Sequence, residues 1–227
     1  MNWPERMSRF TPWGLIADYR KLKSRVHNRR WEALDMIEVY LETSCVPGDY
    51  CEFGVSEGGT FAYAAALYQR CFPDMRFMAF DSFEGLPQAR GIDAGSGFHQ
   101  GQYACDRPRF ERTVRKGRVD MKRVHIIPGW FDASLTPETA QRIGLTNIAV
   151  AWIDADLYTS TIPVLRFIRP LITEGTVLAF DDWRVFRNDP ARGEQRACSE
   201  WIGETGVELN KLFSFNGVGE VFVVRRC

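Results

Sequence analysis

The segment CEFGVSEGGTFAYA, residues 51–64, joins a short apolar run to a helical pattern through a turn that contains three glycines. An order of strand, glycine-rich turn and helix is typical of α/β folds. Gly54 allows the chain to turn sharply, while Gly58 and Gly59 allow the backbone to approach a ligand at the start of the helix. The segment therefore indicates either a ligand site or a tight turn with a purely structural role.

Acidic residues lie beside this turn. Glu52 is inside the apolar run, where a buried carboxylate needs a hydrogen-bonding partner. Glu57 is in the turn itself, where its charge would repel a pyrophosphate, and the spacing G-V-S-E-G-G differs from the dinucleotide fingerprint G-x-G-x-x-G. Both carboxylates favour a ligand that carries an ammonium or sulfonium group over a dinucleotide.

Downstream of the turn, short apolar runs alternate with helical stretches. The apolar runs lie at 50–55, 76–80, 124–128, 148–153 and 176–180, and the helical stretches lie at 60–72, 109–117, 137–144, 161–172 and near 191–204. This alternation is typical of a parallel sheet covered by helices on both faces. The tail differs, because VELNKLFSF and GEVFVVRR are joined by NGVG, as in an antiparallel hairpin. We therefore expect five parallel strands followed by an antiparallel pair.

The residues before the glycine turn form a different region. Residues 14–43 have a helical pattern, and WEALDMIEVYLET places five large side chains along one stripe of a helix: Trp31, Leu34, Ile37, Tyr40 and Leu41. The basic stretch 21–30 is interpreted as a solvated helix face rather than an anion site. We therefore divide the chain into an N-terminal helical segment, 1–47, and an α/β domain, 48–227.

Composition argues against several classes of function. The 227 residues include 29 basic and 29 acidic side chains, with a pI near 6.8, so neither a nucleic acid nor an anionic membrane is indicated as a partner. No apolar run approaches the roughly 18 residues that span a bilayer, and the first ten residues lack the pattern of a secretory signal. Six cysteines without CxxC spacing indicate neither a zinc site nor a disulfide framework. We therefore expect a cytoplasmic location.

The second and third predicted strands also end in residues suited to a ligand. In open α/β sheets, ligands bind beyond the carboxyl ends of the strands. The second strand ends in FMAFDS, where Asp81 can accept hydrogen bonds from both hydroxyls of a ribose. The third is followed by PGWFD, where Trp130 and Phe131 can stack on a flat base or serve as ordinary core aromatics. Together with the glycine turn, these residues describe an adenosine pocket.

Carboxylates follow the fourth and fifth predicted strands. AWIDADLYTS ends its apolar run in Asp154 and Asp156, and VLAFDDW ends in Asp181 and Asp182. Neighbouring strands lie about 4.8 Å apart, and two like charges at about 4 Å repel by roughly 4 kcal/mol at an effective dielectric near 20. A divalent cation that prefers oxygen ligands, Mg²⁺ or Ca²⁺, would remove this repulsion. The alternative is a helix-capping aspartate with a salt bridge to Arg184.

In combination, these motifs resemble the macrocin O-methyltransferase family, class I S-adenosylmethionine-dependent enzymes that act on sugar hydroxyls of natural products. The resemblance covers roughly residues 48–200 and consists of CEFGVSEGG, AFDSFEGLP, FHQGQYA, IIPGWFDASL, WIDADLYTST and FDDW, in the order of the family. It implies an α/β, Rossmann-like class I methyltransferase fold. That fold has a mostly parallel seven-stranded sheet with a C-terminal antiparallel hairpin, here preceded by the N-terminal helical segment.

The resemblance also assigns roles to individual residues. S-adenosyl-L-methionine would be held by the glycine turn and the following strand ends, at Glu52, Gly54, Val55, Gly58, Gly59, Thr60, Asp81, Ser82, Gly129, Trp130 and Asp154. Mg²⁺ or a similar divalent cation would be held by Asp154, Asp181 and Asp182. Asp156 would support these ligands or face the substrate. The segment FHQGQYA would belong to a mobile loop that closes over the site, with His99 as either a base or a lid residue.

The implied function is Mg²⁺-dependent methylation of a hydroxyl of a sugar or glycoside, in natural-product or polysaccharide tailoring. A vicinal diol that chelates the cation would lose a proton more easily, and Asp154 or His99 would accept that proton. The partner would be a small-molecule acceptor, and the apolar N-terminal helix suggests a homo-oligomer. Two alternatives remain: a glycosyltransferase that uses the Asp-x-Asp at 154–156 to hold a metal and a nucleotide-sugar, and a non-catalytic module that keeps the fold.

Overall fold

Seven strands form a single sheet in the computed structural model, which describes residues 29–227. The strands are β1 Asp49–Phe53, β2 Phe77–Asp81, β3 Val124–Pro128, β4 Ile148–Ile153, β5 Val177–Phe180, β6 Glu208–Phe215 and β7 Gly219–Arg226. Their order across the sheet is β3-β2-β1-β4-β5-β7-β6. Strands β1 to β5 are parallel, while β7 pairs antiparallel with β5 and β6 pairs antiparallel with β7. The predicted seven-stranded sheet with a C-terminal hairpin is confirmed.

Helices cover both faces of this sheet. Those with α-helical geometry are α1 Arg30–Ser44, α2 Gly59–Cys71, α3 Arg107–Lys116, α4 Phe131–Ser134, α5 Pro137–Arg142, α6 Tyr158–Ile168 and α7 Gly193–Thr205. Helices α1, α2 and α3 pack on one face, and α5, α6 and α7 pack on the other. Within residues 29–227, no helix combines the length and the apolar composition that crossing a membrane requires.

The central strands are buried on both faces, which explains their unbroken apolar runs. In β1, Tyr50 packs in the hydrophobic cluster beneath α1 and α2, while Cys51 and Phe53 pack in the cluster beneath α6. Every residue of β1 and of β4 is buried. Alternate side chains of one strand therefore pack into two separate hydrophobic clusters, one on each face of the sheet, so neither face of the central strands is exposed to solvent.

Helix α1 belongs to this packing, although part of its predicted apolar stripe does not. Leu34, Ile37 and Leu41 are buried in the cluster shared with α2, and Tyr40 is half-buried. Trp31 is 44% exposed, and its ring stacks on Tyr63 of α2 at a centroid distance of 5.4 Å. Trp31 therefore lies on the predicted stripe but packs on the surface of the neighbouring helix instead of in the core. The predicted helical residues 14–28, most of the basic stretch among them, lie outside the described residues.

The register of the sheet brings four strand ends to one level. Phe53 is paired with Phe80 of β2 and with Ile153 of β4, and Ile153 is paired with Phe180 of β5. The residues that follow, namely Gly54, Asp81, Asp154 and Asp181, therefore leave the sheet side by side. Backbone hydrogen bonds continue this alignment by one residue, from Gly54 N to Phe80 O, from Asp154 N to Phe53 O and from Asp181 N to Ile153 O, each 2.9 Å long.

Candidate active site

A cavity of about 450 Å³ opens at the carboxyl ends of the parallel strands. Residues after β1, β2 and β3 line one part of it: Gly54, Ser56, Asp81, Ser82, Gly129 and Trp130. Residues after β4 and β5 line another part: Asp154, Ala155, Asp156, Thr159 and Asp182. The loop between β2 and α3 contributes Gly85, Leu86, Pro87, Gln102 and Tyr103, and α1 contributes Arg30. One cavity therefore joins the predicted adenosine pocket to the predicted acidic site.

The glycine turn approaches its neighbours so closely that side chains are excluded at two positions. Gly54 has φ of +92°, and a Cβ atom there would lie 2.0 Å from the carbonyl oxygen of Asp154. Gly58 has φ of +81°, and a Cβ atom would lie 2.6 Å from the ring of Phe110. Gly59 faces open space, so packing does not require a glycine there. Close packing alone therefore requires glycine at positions 54 and 58, whether or not these residues also bind a ligand.

Asp81 connects the second strand to the glycine turn. Its Oδ2 atom accepts hydrogen bonds from the backbone N–H groups of Val55 at 2.7 Å and Ser56 at 2.9 Å, and its Oδ1 atom accepts one from Phe83 at 2.7 Å. Asp81 also lines the cavity, next to Ser82. Its carboxylate therefore has two functions available: it holds the turn in place, and it presents remaining acceptor capacity to a ligand.

Several of the residues predicted to bind cofactor do not line the cavity. They are Val55, Gly58, Gly59 and Thr60, in the turn and the start of α2. Glu52 is buried within β1, where it accepts a hydrogen bond from the Tyr50 hydroxyl. Burial raises the pKa of Glu52 well above its ordinary value, although the hydrogen bond from Tyr50 opposes this effect. The partner predicted for this buried carboxyl is therefore found inside the protein.

Three carboxylates meet on the other side of the cavity. Asp154, Asp156 and Asp182 each offer a carboxylate oxygen, and these oxygens lie within 4.8 Å of one another. Asp156 has φ of +57°, a left-handed conformation that costs most non-glycine residues energy and that aspartate adopts more readily than most. An all-oxygen group of this kind has the chemistry preferred by Mg²⁺ or Ca²⁺.

Asp181 is close to this group, but its carboxylate faces Arg30. Asp181 is buried, and its Oδ1 atom accepts a hydrogen bond of 2.8 Å from Arg30 Nε, while its Oδ2 atom pairs with Arg30 Nη2. The same Nη2 atom lies 3.6 Å from Asp154 Oδ2. The structure thus gathers Asp156 with Asp154 and Asp182, whereas the sequence predicts Asp181 in that position. Each carboxylate next to a guanidinium has its charge partly neutralised.

The alternative involving Arg184 takes a different form in the structure. Arg184 pairs with Glu220 of β7 and donates a hydrogen bond of 3.1 Å to the carbonyl oxygen of Gly219. It therefore stabilises the hairpin, and the cation beside the aspartates comes from α1.

Burial and mutual repulsion shift the proton affinities of the acidic group. Burial and the neighbouring Asp181 raise the pKa of Asp154 well above its ordinary value, against the effect of Arg30. Burial and Asp154 raise the pKa of Asp156 to about 8. Burial and Asp156 raise the pKa of Asp182. Burial lowers the pKa of Arg30, but the carboxylates of Asp154 and Asp181 raise it by more, so the net shift is upward. In the absence of a bound cation, the group therefore retains protons that solvent-exposed carboxylates would lose.

The sequence reasoning missed several residues beside the acidic group. Arg30 lies in the first turn of α1, in a stretch that was interpreted as a solvated face. Glu194 in α7 is buried, accepts a hydrogen bond of 3.1 Å from the backbone N–H of Asp182, and has a pKa raised by burial and by Asp182. Tyr103 lies within the predicted lid motif FHQGQYA, where only His99 was given a role of its own, and it lines the cavity. Because all three come from distant parts of the chain, no spacing pattern could reveal them.

His99, the predicted base, lies away from the acidic group. It is exposed in a turn, where its backbone N–H donates a hydrogen bond of 3.0 Å to Gln102 Oε1. Gln102 and Tyr103 line the cavity, and His99 does not. The geometry therefore favours an aspartate over His99 as the acceptor of a proton.

Comparisons with known proteins bear on the family. A model of the family described as "Macrocin-O-methyltransferase (TylF)" matches residues 20–198. The chain is 32% identical over 201 residues to the 8-demethyl-8-(2,3-dimethoxy-alpha-L-rhamnosyl)-tetracenomycin-C 4'-O-methyltransferase of Streptomyces olivaceus, an alignment that covers 82% of this chain and 70% of that protein. It is 30% identical over 148 residues to the mycinamicin III 3''-O-methyltransferase of Micromonospora griseorubida, covering 61% of this chain. That alignment spans 56% of the mycinamicin protein, a little over half of its length.

Solved structures agree with the fold. The O-methyltransferase NovP has a TM-score of 0.72 at 21% identity, with 88% of this chain and 80% of that chain covered. The calicheamicin methyltransferase CalS11 has a TM-score of 0.69 at 24% identity, with 96% of this chain and 89% of that chain covered. These similarities show a class I methyltransferase fold. Because the family match covers most of the residues, including every strand from β1 to β5, the chain belongs to the macrocin O-methyltransferase family.

Proposed function

We propose that this protein transfers the methyl group of S-adenosyl-L-methionine to a hydroxyl group of a sugar in a glycosylated natural product. The observation that carries the proposal is the single cavity in which Asp81 and Trp130 lie on one side and Asp154, Asp156 and Asp182 on the other. A methyl transfer needs the sulfonium donor and the acceptor hydroxyl in one water-poor space, held in line. Family membership and the names of the two curated relatives support the same chemistry.

In the cofactor part of the cavity, Asp81 would accept hydrogen bonds from the ribose hydroxyls, beside Ser82, and the indole of Trp130 would lie against the adenine. Gly54, which tolerates no side chain, leaves the backbone exposed to the methionine end. The backbone of the turn stays in place because Asp81 accepts two of its N–H groups. Cofactor binding and the shape of the turn therefore depend on the same carboxylate.

The acidic residues fit a hard divalent cation such as Mg²⁺, since their oxygens are close together and since burial and neighbouring carboxylates both raise the pKa values of Asp154 and Asp182. Asp154 and Asp182 belong both to the predicted ligand set and to the observed group, and they would hold the ion. When bound, the ion would polarise the acceptor hydroxyl and make it more acidic. Asp181 remains a predicted third ligand, which would require its release from Arg30.

The side chains of this protein would then position the acceptor and remove its proton. Asp156 lines the cavity beside Asp154 and Asp182, in the strained left-handed conformation, and is our choice for the base. The hydroxyl oxygen forms a bond to the methyl carbon as the carbon–sulfur bond breaks. The products are a methyl ether, S-adenosylhomocysteine and the proton on the aspartate. The loop residues Leu86 and Tyr103 would exclude water from this space.

The test is transfer of labelled methyl from S-adenosylmethionine to a panel of rhamnosyl and other deoxysugar glycosides, with Mg²⁺ or with EDTA. We expect labelled methyl ether only with Mg²⁺. Asp182→Asn should lower turnover at least about a hundred-fold, because an anionic oxygen is lost, and should change S-adenosylhomocysteine affinity by less than about three-fold. Asp74→Asn, an exposed carboxylate just before β2 at the opposite end of the strands, is the matched control.

The outcomes separate the parts of this proposal. Equal turnover in EDTA would contradict the cation, and full activity of Asp182→Asn would remove that residue from the site. Binding of S-adenosylhomocysteine without methylation of any glycoside would contradict the acceptor class. Absence of cofactor binding would favour the non-catalytic alternative. Membership in a methyltransferase family already leaves the glycosyltransferase interpretation without support.

A further inference from the structure

Asp93 is a buried carboxylate in the long loop between β2 and α3, residues 82–106, which we call the β2–α3 loop. It ends a single 3-10 turn, Gly91–Asp93, and is 1% exposed, although Gly91 and Ala94 on either side are exposed. A charged side chain is rarely buried to this degree in a loop unless it has specific partners. Its position therefore needs an explanation.

The partners of Asp93 are all in the first turn of α6. Its Oδ1 atom accepts a hydrogen bond of 3.0 Å from the backbone N–H of Tyr158, and its Oδ2 atom accepts bonds of 3.1 Å from the N–H of Thr159 and 2.7 Å from the Thr159 hydroxyl. Leu157, the residue at the capping position of α6, provides no side-chain cap. Asp93 thus caps α6 from a loop 65 residues earlier in the chain, with its charge at the positive end of the helix.

The helix that Asp93 caps begins directly after the acidic segment. Asp154 and Asp156 precede it, and Thr159 of its first turn lines the cavity. The left-handed turn at Asp156 leads straight into this capped turn. Any movement of the start of α6 therefore changes where Asp156 points.

The same loop covers the cavity with its two ends. Leu86 and residues 101–102 pair through backbone hydrogen bonds, from Leu86 N to Gln102 O and from Gly101 N to Leu86 O, each 2.9 Å long. Leu86, Gln102 and Tyr103 line the cavity. The paired ends thus form part of the cavity wall, and Asp93 lies between them in the chain.

A second set of contacts joins the middle of the loop to the segment after β5. Arg192 donates hydrogen bonds from Nη2 to the carbonyl oxygens of Ile92, at 3.5 Å, and Ala94, at 3.3 Å. The rings of Phe98 and Phe186 meet edge to face at 6.1 Å. These contacts are more exposed and longer than those of Asp93, so Asp93 provides the buried attachment.

We propose that Asp93 is a positioning residue that locks the β2–α3 loop to the start of α6, so that closure of the loop and placement of the acceptor carboxylates are one structural event. The inference deepens the proposed function and rests on it for the identity of the acceptor. Asp93 does not line the cavity; it acts through Thr159 and Asp156. The carboxylate of Asp93 accepts its hydrogen bonds from α6 and none from the glycine turn, so we expect the cofactor side to be little affected by its loss.

The experiment compares Asp93→Ala with Asp93→Asn and with the control Asp120→Ala. Asp120 also caps a 3-10 turn, with a 3.0 Å bond from the N–H of Lys122, but its hydrogen bonds join it to its own turn and to Gln69 of α2 instead of to α6. In hydrogen–deuterium exchange, Asp93→Ala should raise uptake in both 84–103 and 157–161. Asp93→Asn keeps one carbonyl acceptor and should give a smaller increase, while Asp120→Ala should change neither segment.

Kinetics and cofactor binding provide the second readout. Asp93→Ala should raise the KM for the acceptor about ten-fold or lower kcat by a similar factor, while the Kd for S-adenosylhomocysteine stays within about two-fold. Thr159→Val, which removes the hydroxyl donor alone, should reproduce part of the exchange change if Asp93→Ala is too unstable to study. Increased uptake confined to 157–161, with the loop unchanged, would overturn the proposal.

The exchange and cofactor-binding measurements need no acceptor, so failure of the proposed function and failure of this inference are distinguishable. If the wild type methylates none of the glycosides, concerted exchange of the two segments still supports the coupling and independent exchange still contradicts it. A uniform loss of cofactor affinity in Asp93→Ala would also contradict it, because the cofactor side would then depend on this contact.

Discussion

Asp156 combines three properties that are individually unfavourable for a single residue. It is almost fully buried, it carries an acidic group beside two other carboxylates, and its backbone is left-handed. Aspartate adopts the left-handed conformation more readily than most residues, but burial beside two other carboxylates runs against its preference for solvent. The surrounding structure imposes that burial, as is typical of functional sites.

The pKa of Asp156, about 8 in the folded protein, predicts how stability depends on pH without a bound cation. Because this value is above the ordinary one, the stabilisation is complete below the unfolded pKa, near 4, and is lost as the pH rises through about 8. In EDTA, the free energy of unfolding should therefore fall as the pH rises from about 4 to about 8 and level off above that. Asp156→Asn should reduce that slope by up to about 1.4 kcal/mol per pH unit. Urea unfolding at several pH values measures both slopes.

Asp154 and Asp182 also have raised pKa values, so the slope in Asp156→Asn should be smaller but not zero. Asp132→Asn, which removes an exposed carboxylate from the same cavity, serves as the control and should leave the slope unchanged. Equal slopes for wild type and Asp156→Asn would show that Asp156 is ionised in the folded protein.

At the scale of elements, Arg76 joins the amino ends of the strands, opposite the cavity. Its side chain donates hydrogen bonds to Asp49 of β1 at 3.2 Å, to the carbonyl oxygen of Ile143 at 2.9 Å and to that of Gly144 at 2.8 Å. Its own N–H also donates to Asp49, at 2.9 Å. This single residue therefore ties β1, β2 and the turn before β4 together. It helps to set the register that brings the functional strand ends level.

Arg76→Met should destabilise the protein by about 2–4 kcal/mol, because it leaves the buried carboxylate of Asp49 without its cation and two carbonyl oxygens without donors. Arg142→Met, an exposed arginine of α5, should cost less than about 0.5 kcal/mol. Chemical unfolding monitored by tryptophan fluorescence measures the difference. A loss as small as that of the control would mean that water replaces the arginine at this end of the sheet.

At the scale of the whole molecule, Arg30 connects three regions that are far apart in sequence. It starts α1, pairs with Asp181 after β5 and lies 3.6 Å from Asp154 after β4. The neighbouring Arg29 donates its backbone N–H to Asn216 in the hairpin turn, at 2.9 Å. The helix that the sequence places in a separate N-terminal segment therefore completes the acidic side of the cavity.

This connection predicts competition between Arg30 and a divalent cation. Arg30→Met should lower the melting temperature in EDTA, because the carboxylates lose their positive partner. The increase in melting temperature produced by Mg²⁺ should then be larger than in the wild type, since the ion neutralises more uncompensated charge. Arg29→Met removes an exposed arginine that pairs with Glu32 at 3.7 Å and is the control. A smaller Mg²⁺ effect in Arg30→Met than in the wild type would contradict the competition.

Much of the fold could be predicted because each strand and helix has a strong local pattern. The runs apolar on both faces predict buried parallel strands, and NGVG between two alternating segments predicts the hairpin. The site was predictable wherever a functional residue ends a strand, as Asp81 does, or directly follows one, as Gly54 and Asp154 do, because parallel strands place their carboxyl ends at one edge. His99 shows the limit of this reasoning, since a residue in the middle of a long loop has no position that the pattern can specify.

The sequence by itself therefore determined the order of the elements, the parallel sheet and the edge at which chemistry-bearing residues collect. The tertiary structure alone decided which charges meet there: Arg30 with Asp181, Asp156 with Asp154 and Asp182, and Asp93 with the start of α6. The physical reason is the distance along the chain over which each kind of interaction acts. Hydrophobic periodicity and turn chemistry act over a few residues, whereas the pairing of buried charges depends on distances between segments that only the packed fold brings together.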